Sequence, residues 1–211
     1  MSFVNQSIGE LWIELTRLCL TKGTRIPDDQ GDILELTGIP FVITHPSEHD
    51  PLVGRYGVRE RISTMIKNFT TEEPQFGYKF SYGSRIFGTP SSYEFLRSLL
   101  GKRPDTKTAT ISLIREGDFE KNHVPCIATL DFKIREGNLH VHYFCRSQDL
   151  FKKSYADNIA IFLILQKLAQ ALNVGTGSVH GYIASAHVYC KDLPEIYGLD
   201  PFHELLPVRE A

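Results

Sequence analysis

Residues 125–149 have the sequence PCIATLDFKIREGNLHVHYFCRSQD. Hydrophobic residues alternate with polar ones in two runs, 126–134 and 139–145, which flank the turn sequence REGN. Alternation with a period of two on both sides of a glycine-containing turn predicts a β-hairpin. We therefore expect two antiparallel strands, with Cys126 and Arg146 at the outer ends of the hairpin, where they can approach each other.

The patterns elsewhere predict an α+β protein rather than regular βαβ winding. Apolar residues have helical spacing in segments 8–20 and 58–69 and within the very apolar segment 149–172. They also have it after residues 89–91, where a cap followed by a proline in the first turn predicts the start of another helix. Strand patterns occur at 32–44, 107–115 and 178–188. We expect one domain over residues 1–211, with a large mixed or antiparallel sheet, flanking helices and a long buried central helix.

The composition is that of an ordinary globular protein, with 42% hydrophobic and 23% charged residues. A formal net charge of -2 argues against a broad nucleic-acid-binding surface but leaves room for a small anionic ligand. No run reaches the roughly 18–20 apolar residues of a membrane span, and the N-terminus lacks the pattern of a secretory signal. We therefore expect no nucleic-acid partner, no membrane association and a cytoplasmic location.

The cysteines are candidates for chemistry rather than for cross-links. Cys19, Cys126, Cys145 and Cys190 have irregular spacing without a Cys-x-x-Cys pair, so we expect neither a disulfide framework nor a metal. A lone cysteine is usually a small buried hydrophobe, and Cys126 at a strand start fits that interpretation. It also fits a nucleophile with a lowered pKa beside a cation, which Arg146 can supply.

Polar residues follow the hairpin and the last predicted strand. Arg146 and Ser147 suit a phosphate group, because a guanidinium fork and a hydroxyl both donate to its oxygens, but they also suit a solvated strand end. Asp149 is either a ligand-binding acid or the N-cap of the long helix. His187 and Tyr189 share one face of a strand because they are two residues apart, and a hydrogen-bonded core pair is the alternative.

Taken together, these residues resemble a known family. The motifs occur in the order Pro125-Cys126, Arg146-Ser147-Gln148-Asp149, Asp157-Asn158 and Ala186-His187-Val188-Tyr189. This order resembles the spine of the thymidylate synthase and pyrimidine-nucleotide hydroxymethylase superfamily. The resemblance is good from residue 111 to 192, weak from 23 to 85 and absent at both termini.

The resemblance implies a thymidylate synthase-like fold and a homodimer. It implies 5,10-methylenetetrahydrofolate as co-substrate beside a pyrimidine nucleoside monophosphate. It assigns Cys126 as the nucleophile that adds to the pyrimidine ring. It assigns Tyr82 to organising water or a proton near the base, and Glu60, on an early helix, to proton transfer. Asp149 is assigned to the folate side of the site.

The resemblance also implies the ligands of the nucleotide. Arg146 and Ser147 bind the phosphate, to which a partner subunit lends further cations, and His187 and Tyr189 bind the sugar. The family has two adjacent arginines before the strand that precedes the cysteine, where this chain has Lys107 and Thr108. Lys107 is therefore a candidate phosphate ligand, as is Arg25 near the N-terminus.

The position eleven residues after Arg146 is the one that selects the base in this family. Thymidylate synthases have asparagine there, and an ungapped count places Asp157 there in this chain, whereas a slip of one residue would place Asn158. Cytosine presents an amino donor at C4 and an acceptor at N3. A carboxylate facing the O4 of uracil would bring two acceptors together, at a cost of about 1–3 kcal/mol. Asp157 therefore favours cytosine; the alternative is a surface acid on the first turns of the long helix.

The chain also departs from the family pattern. Ile127 replaces a histidine, Cys145 replaces the usual glutamine, and the C-terminal residues 206–211 do not match the Pro-Val-Ala-Ile tail. The resulting hypothesis is a folate-dependent 5-hydroxymethyltransferase of CMP or dCMP, in which Cys126 adds to C6. The alternatives are a thymidylate synthase that methylates dUMP and a non-catalytic nucleotide-binding or RNA-binding relative.

Overall fold

The computed structural model describes residues 2–75, 80–120 and 124–204, and the elements below lie within those ranges. The strands are β1 (Phe3–Asn5), β2 (Thr24–Ile26), β3 (Ile33–Ile43), β4 (Thr110–Ser112), β5 (Ile127–Arg135), β6 (Asn138–Asp149) and β7 (Gly175–Tyr189). The helices are α1 (Ile8–Lys22), α2 (Pro51–Tyr56), α3 (Arg59–Thr70), α4 (Tyr82–Ile86), α5 (Ser92–Lys102), α6 (Gly117–Glu120), α7 (Ser154–Leu172), α8 (Leu193–Tyr197) and α9 (Asp200–His203). The C-terminal tail compared above lies outside the described residues.

The strands form one mixed sheet in the order β1-β3-β7-β6-β5-β4, with β2 paired to β3. The predicted hairpin is present, because β5 and β6 are antiparallel with Ile134 opposite Leu139. Its turn places Glu136 and Gly137 at φ values of 51° and 76°, and the glycine adopts this left-handed region without strain. β6 and β7 are parallel neighbours, and α7 connects them. The expected α+β fold with a large mixed sheet is confirmed.

Helix α7 is the centre of the core, as predicted. Its apolar side chains point in all directions, and Ile161, Leu165 and Leu168 are completely buried. A helix that is hydrophobic all round must be covered on every side, and α1, α3, α5 and the sheet cover this one. Asn173 ends it at φ 56°, a left-handed conformation that asparagine tolerates better than most residues.

Two hydrogen bonds fix the start of α7 against its neighbours. The indole Nε1 of Trp12 in α1 donates to the carbonyl of Phe151 at 3.2 Å, and the Trp12 ring lies 4.5 Å from the ring of Tyr155. The Tyr155 hydroxyl accepts from the backbone N–H of Val58, just before α3. The first turn of α7 is therefore held in place on two sides. The side chains of this turn that point towards β6 are positioned by the same contacts.

Several predicted boundaries were wrong. β4 covers only Thr110–Ser112 of the strand expected at 107–115. Pro90 precedes the first turn of α5, because Ser91 is the N-cap and accepts from the N–H of Glu94. β6 continues past Cys145 to Asp149, because pairing with β7 extends to the Asp149–His187 register. No helix among the described residues is long and apolar enough to cross a membrane.

Candidate active site

A cavity of about 1050 Å³ lies where the C-terminal ends of β6 and β7 meet the first turn of α7. Helix α3 and the segment between β2 and β3 complete its wall. Many of the predicted site residues line it, namely Cys126, Arg146, Ser147, Asp149, Asp157, His187 and Tyr189. β6 and β7 run in the same direction, so their ends lie side by side and bring together residues that are 40 positions apart in sequence, such as Ser147 and His187.

Cys126 lies directly before β5, next to Arg146. The backbone N–H of Arg146 donates to the carbonyl of Cys126 at 2.8 Å, so the hairpin brings the two residues together as expected. The expected lowering of the thiol pKa is not found. Burial raises the pKa of Cys126, and the positive charges of Arg146 and Lys153 offset only part of that rise. The raised pKa favours the thiol, so Cys126 needs a base, or a further positive charge, to become a thiolate.

The guanidinium of Arg146 holds the segment in front of the cysteine. Its Nη2 donates to the carbonyl of Val124 at 2.7 Å, and its Nε donates to the carbonyl of Pro125 at 3.1 Å. The side chain is otherwise exposed on the rim of the cavity, where it has further N–H groups for an anion. Ser147 is half-buried beside it and pairs with Ser185 of β7.

Asp149 and His187 face each other across the parallel pair of strands. The Oδ1 of Asp149 accepts from the N–H of Lys152 at 2.9 Å, in the turn before α7. Asp149 is not the N-cap of α7, because Lys153 occupies that position without a side-chain cap, and the role of Asp149 towards a ligand stays a prediction. Burial raises the pKa of Asp149 and lowers that of His187. The Nδ1 of His187 is buried without a hydrogen-bond partner among the described residues.

The ring of Tyr189 lies 5.2 Å from the ring of His187, edge to face, on the same side of β7. Burial raises the pKa of the Tyr189 phenol to about 12, so the phenol remains a neutral hydrogen-bond donor. The two side chains thus present an imidazole and a hydroxyl towards the cavity, a pair suited to hydroxyl groups of a ligand.

Asp157, and not Asn158, lies on the cavity. Asn158 is turned away from it: its Oδ1 accepts from the Tyr143 hydroxyl at 3.0 Å and its Nδ2 donates to the carbonyl of Ser154 at 2.9 Å. Asp157 is 5% exposed and accepts a hydrogen bond, at 2.6 Å, from the side-chain amide of Gln148. Burial raises its pKa from 3.8 to about 6 even though this hydrogen bond opposes the rise. The ungapped count from Arg146 therefore gives the residue that faces the cavity.

The structure places Tyr82 behind the cysteine and Glu60 away from the cavity. The Tyr82 hydroxyl accepts from the N–H of Ile127, the residue after the cysteine, at 3.1 Å. Glu60 is exposed on α3 and is not brought to the site. The cavity-facing residues of that helix are Arg61 and Met65, which are four positions apart and share a face, whereas Glu60 is rotated from them by about 100°.

Arg25 and Lys107 are also outside the cavity of their own chain. Arg25 is exposed and forms an ion pair with Asp32 at 2.7 Å. Lys107 is exposed before β4. A phosphate bound near Arg146 therefore does not meet either cation within this chain.

Several residues that line the cavity were not predicted from the sequence. Gln148 stands inside the Arg-Ser-x-Asp motif, yet its contact with Asp157 joins β6 to α7 and has no local signal. Basic side chains also line the wall, namely Arg61, Lys152, Lys153 and Lys191. The adjacent pair Lys152-Lys153, which lies shortly after the motif and directly before α7, is the signal that could have indicated them.

The α+β fold and the cavity define a class of protein in which a cysteine faces a basic pocket large enough for a nucleotide. Comparison with known proteins agrees. The sequence profile of the thymidylate synthase family matches residues 68–199, and the chain belongs to that family. It is a one-carbon transferase of that family, and membership implies nucleotide and folate substrates.

Three relatives illustrate the similarity. Proteins named "Putative thymidylate synthase" from Methanococcoides burtonii and Methanosarcina mazei are 25% and 27% identical to this chain, over 90% and 89% of it and over 90% and 88% of their own lengths. The "Deoxyuridylate hydroxymethyltransferase" of Bacillus phage SP01 is 33% identical over 95 residues, which are 41% of this chain and 25% of the phage protein.

Proposed function

We propose that the protein transfers a hydroxymethyl group to C5 of CMP or dCMP. One observation carries the choice of base: the residue at the base-selecting position is an aspartic acid, Asp157, that lines the cavity instead of asparagine. The hydroxymethyl product follows from the resemblance to the family members that modify cytidine nucleotides, and not from Asp157 itself. The cavity of about 1050 Å³ also supports it, because a pocket for a single small ligand is roughly 300–1,000 Å³. There is room for a nucleotide and for part of a second molecule.

Cys126 is the nucleophile in this proposal. Its sulfur loses a proton and adds to C6 of the pyrimidine, which makes C5 nucleophilic. Methylenetetrahydrofolate supplies the one-carbon unit that C5 takes in exchange for its hydrogen, and water supplies the hydroxyl group. The bond between the Cys126 sulfur and C6 then breaks and the ring is restored, so the products are the 5-hydroxymethyl nucleotide and tetrahydrofolate. The Tyr82 hydroxyl contacts the backbone N–H of Ile127, the residue after the cysteine, but Tyr82 does not line the cavity, so its assignment to water or a proton near the base stays a prediction.

Asp157 selects the base. A carboxyl group that accepts from the C4 amino group, and that donates its own proton to N3, satisfies both polar atoms on that edge of cytosine. At a pKa of about 6, about one Asp157 side chain in ten carries this proton at pH 7, and a base that accepts the proton at N3 favours the protonated form. The asparagine of thymidylate synthases would offer uracil an amide donor for O4 and an acceptor for N3–H.

The remaining cavity residues suit the rest of the two substrates. Arg146 and Ser147 on the rim suit the phosphate, His187 and Tyr189 suit the sugar hydroxyls, and Asp149 suits a donor of the folate. Arg25, Lys107 and Glu60 lie outside the cavity. If Arg25 and Lys107 bind the phosphate, they must therefore do so in the site of a second subunit. Glu60 could transfer protons only if α3 turned so that this side chain faced the cavity.

We propose a homodimer that packs through the outer face of the sheet. Along β6, residues 139, 141, 143 and 145 are buried beneath the helices, whereas His142 and Phe144 on the opposite face are exposed. Phe144 stacks on Tyr182 of β7 with ring centroids 5.7 Å apart, and both are well exposed. A sheet face that carries such an aromatic pair is suited to a partner, and a second copy is the occupant that the predicted sharing of phosphate ligands calls for.

Sedimentation analysis tests the dimer. The unaltered protein is expected to sediment as a dimer at micromolar concentration, and Phe144→Asp to sediment as a folded monomer. Phe119→Asp, at an exposed aromatic residue outside this face, is the matched control and should remain dimeric. A monomeric unaltered protein, or a dimer that Phe144→Asp leaves intact, would refute the proposed interface.

Release of tritium from C5 tests the reaction. The protein is incubated with methylenetetrahydrofolate and with [5-³H]CMP, dCMP, UMP or dUMP, and the mass of each product is measured. We expect release from a cytidine nucleotide and a hydroxymethyl product. Cys126→Ala should release none while remaining folded, and Asp157→Asn should shift the preference towards uridine nucleotides. Release from uridine nucleotides alone, with a methyl product, would reject the proposal.

Thymidylate synthesis on dUMP is the second candidate. It is favoured by the names of the archaeal relatives, which align with this chain over about nine-tenths of its length. The phage relative is also named for a uridylate substrate. The same assay separates the two candidates, because thymidylate synthesis predicts a methyl product and strong discrimination against dCMP. A non-catalytic relative predicts no release from any of the nucleotides.

A further inference from the structure

Gln148 makes the one hydrogen bond that the carboxyl group of Asp157 receives among the described residues. It is 2% exposed, lies near the end of β6 and lines the cavity. Its Nε2 donates to the Oδ2 of Asp157 at 2.6 Å, a short distance typical of a donor that faces a carboxylate.

The orientation of the Gln148 amide is fixed from its other end. The thiol of Cys145 lies 3.4 Å from Oε1 of Gln148 and 3.1 Å from the carbonyl of Ser147. Burial raises the pKa of Cys145 well above its ordinary value, so the sulfur keeps its hydrogen and is a donor. An amide has one accepting end and one donating end. Because the accepting end faces Cys145, the donating end faces Asp157.

This chain of hydrogen bonds has a consequence for the proton of Asp157. Oδ2 faces an N–H donor, and a proton placed on Oδ2 towards Gln148 would oppose that donor. The unprotonated oxygen of a carboxyl group is the better acceptor, so the donor of Gln148 favours the acid proton of Asp157 on Oδ1. A carboxyl group with a known protonated oxygen presents a donor and an acceptor in a fixed order. Cytosine has a donor at C4 and an acceptor at N3, whereas uracil has an acceptor at C4 and a donor at N3. A given order of donor and acceptor on Asp157 therefore fits only one of the two bases.

We propose that Gln148 is a specificity-determining positioning residue, which holds Oδ2 of Asp157 as an acceptor and thereby sets the donor–acceptor order that the base meets. This inference rests on the proposed function in one respect, since it takes Asp157 to be the group that contacts the base. It also accounts for Cys145, which stands where the family usually has glutamine, because this cysteine orients the side chain of Gln148. The other titratable groups that influence Asp157 or are influenced by it are Lys153, Asp149, Cys126, Cys145, Tyr82 and Tyr143.

The test replaces Gln148 with methionine, which keeps the length of the side chain and removes the donor. Gln170→Met, on the exposed part of α7, is the matched control. The first measurement is the titration of the Asp157 carboxyl carbon by NMR in the free protein, with the signal assigned by its loss in Asp157→Asn. Removing a donor to the ionised form should raise the pKa of Asp157 by about 1 pH unit. Gln170→Met should leave it unchanged.

The second measurement is the ratio of kcat/KM for the cytidine and uridine nucleotides. In Gln148→Met, either carboxyl oxygen of Asp157 can carry the proton, so the side chain can fit both bases. The ratio should therefore move towards one by about tenfold, a change of about 1.4 kcal/mol. If Gln148→Met does not fold, Cys145→Ala is the second variant. It frees the amide to turn over, and smaller changes in the same directions are expected for both measurements.

The outcomes separate this inference from the proposed function. An unchanged pKa of Asp157 in Gln148→Met overturns the inference, whatever the substrate. A raised pKa with an unchanged base ratio also overturns it, because Gln148 then has only a structural role. Preference of the unaltered protein for uridine nucleotides overturns the proposed function alone, and Gln148→Met must then still bring the base ratio towards one.

Discussion

Replacing Asp157 with asparagine should stabilise the free protein, even though it alters the proposed site. The pKa of this carboxyl group is raised by burial from 3.8 to about 6. Ionised Asp157 is therefore a cost to the folded state at neutral pH, about 3 kcal/mol at 1.36 kcal/mol per pH unit. Asparagine is isosteric, carries no charge and keeps an oxygen for the donor of Gln148.

The sign of the pH dependence follows from the same pKa values. The folded state holds the proton of Asp157 more tightly than the unfolded chain, so the cost is complete above pH 6 and disappears as the pH falls through 6 to about 4. Asp157→Asn should therefore gain about 3 kcal/mol at pH 8, about half of that near pH 5, and nothing below pH 4.

Urea denaturation at these pH values measures the effect as a difference in the free energy of unfolding between variant and unaltered protein. Asp105→Asn, at an exposed acid, is the matched control and should change stability by less than about 0.5 kcal/mol at each pH. A gain that grows as the pH falls would refute the reasoning. So would equal stability of the two proteins at pH 8, since it would mean that the Asp157 carboxylate is solvated in the folded state.

Three other substitutions test the core and the site. Leu165→Ala, in the completely buried part of α7, should lower the free energy of unfolding by about 2–5 kcal/mol in urea; a loss below about 1 kcal/mol would contradict the central place of that helix. Arg85→Met leaves the buried partner Asp118 without its bidentate guanidinium and should cost about 3–5 kcal/mol, whereas Arg97→Met, in an exposed pair, should cost at most about 1 kcal/mol in the same experiment. Cys126→Ala should abolish tritium release with an unchanged urea midpoint; residual release would show that another nucleophile acts.

The parts of the fold that local patterns encode were predictable. The alternation on both sides of the turn predicted the β5–β6 hairpin, and the length of the apolar segment predicted α7, because both signals lie within the element itself. The extension of β6 to Asp149 was not predictable, since it depends on pairing with a strand that follows 25 residues later, beyond the helix. Polar residues at that end of β6 give no strand signal of their own.

The candidate site divides in the same way. An ungapped count was enough to choose Asp157 over Asn158, because α7 begins at a fixed distance after β6 and only one of two adjacent helical residues can face the cavity. Glu60 was placed by its presence on a helix, but which face of α3 turns inwards is decided by packing against α7. The contact of Gln148 with Asp157 joins two elements, and no single pattern contains it.

The parallel pairing of β6 with β7 through α7 has a consequence for how relatives can diverge. The ends of both strands and the first turn of the helix supply the proposed phosphate, base and sugar ligands, so these ligands belong to one unbroken segment, residues 146–189. If a related gene received that segment in a single exchange, its protein would acquire the nucleotide preference of the donor protein and would keep its own cysteine. Substrate choice in this architecture can be inherited as a block, separately from the covalent chemistry that acts on it.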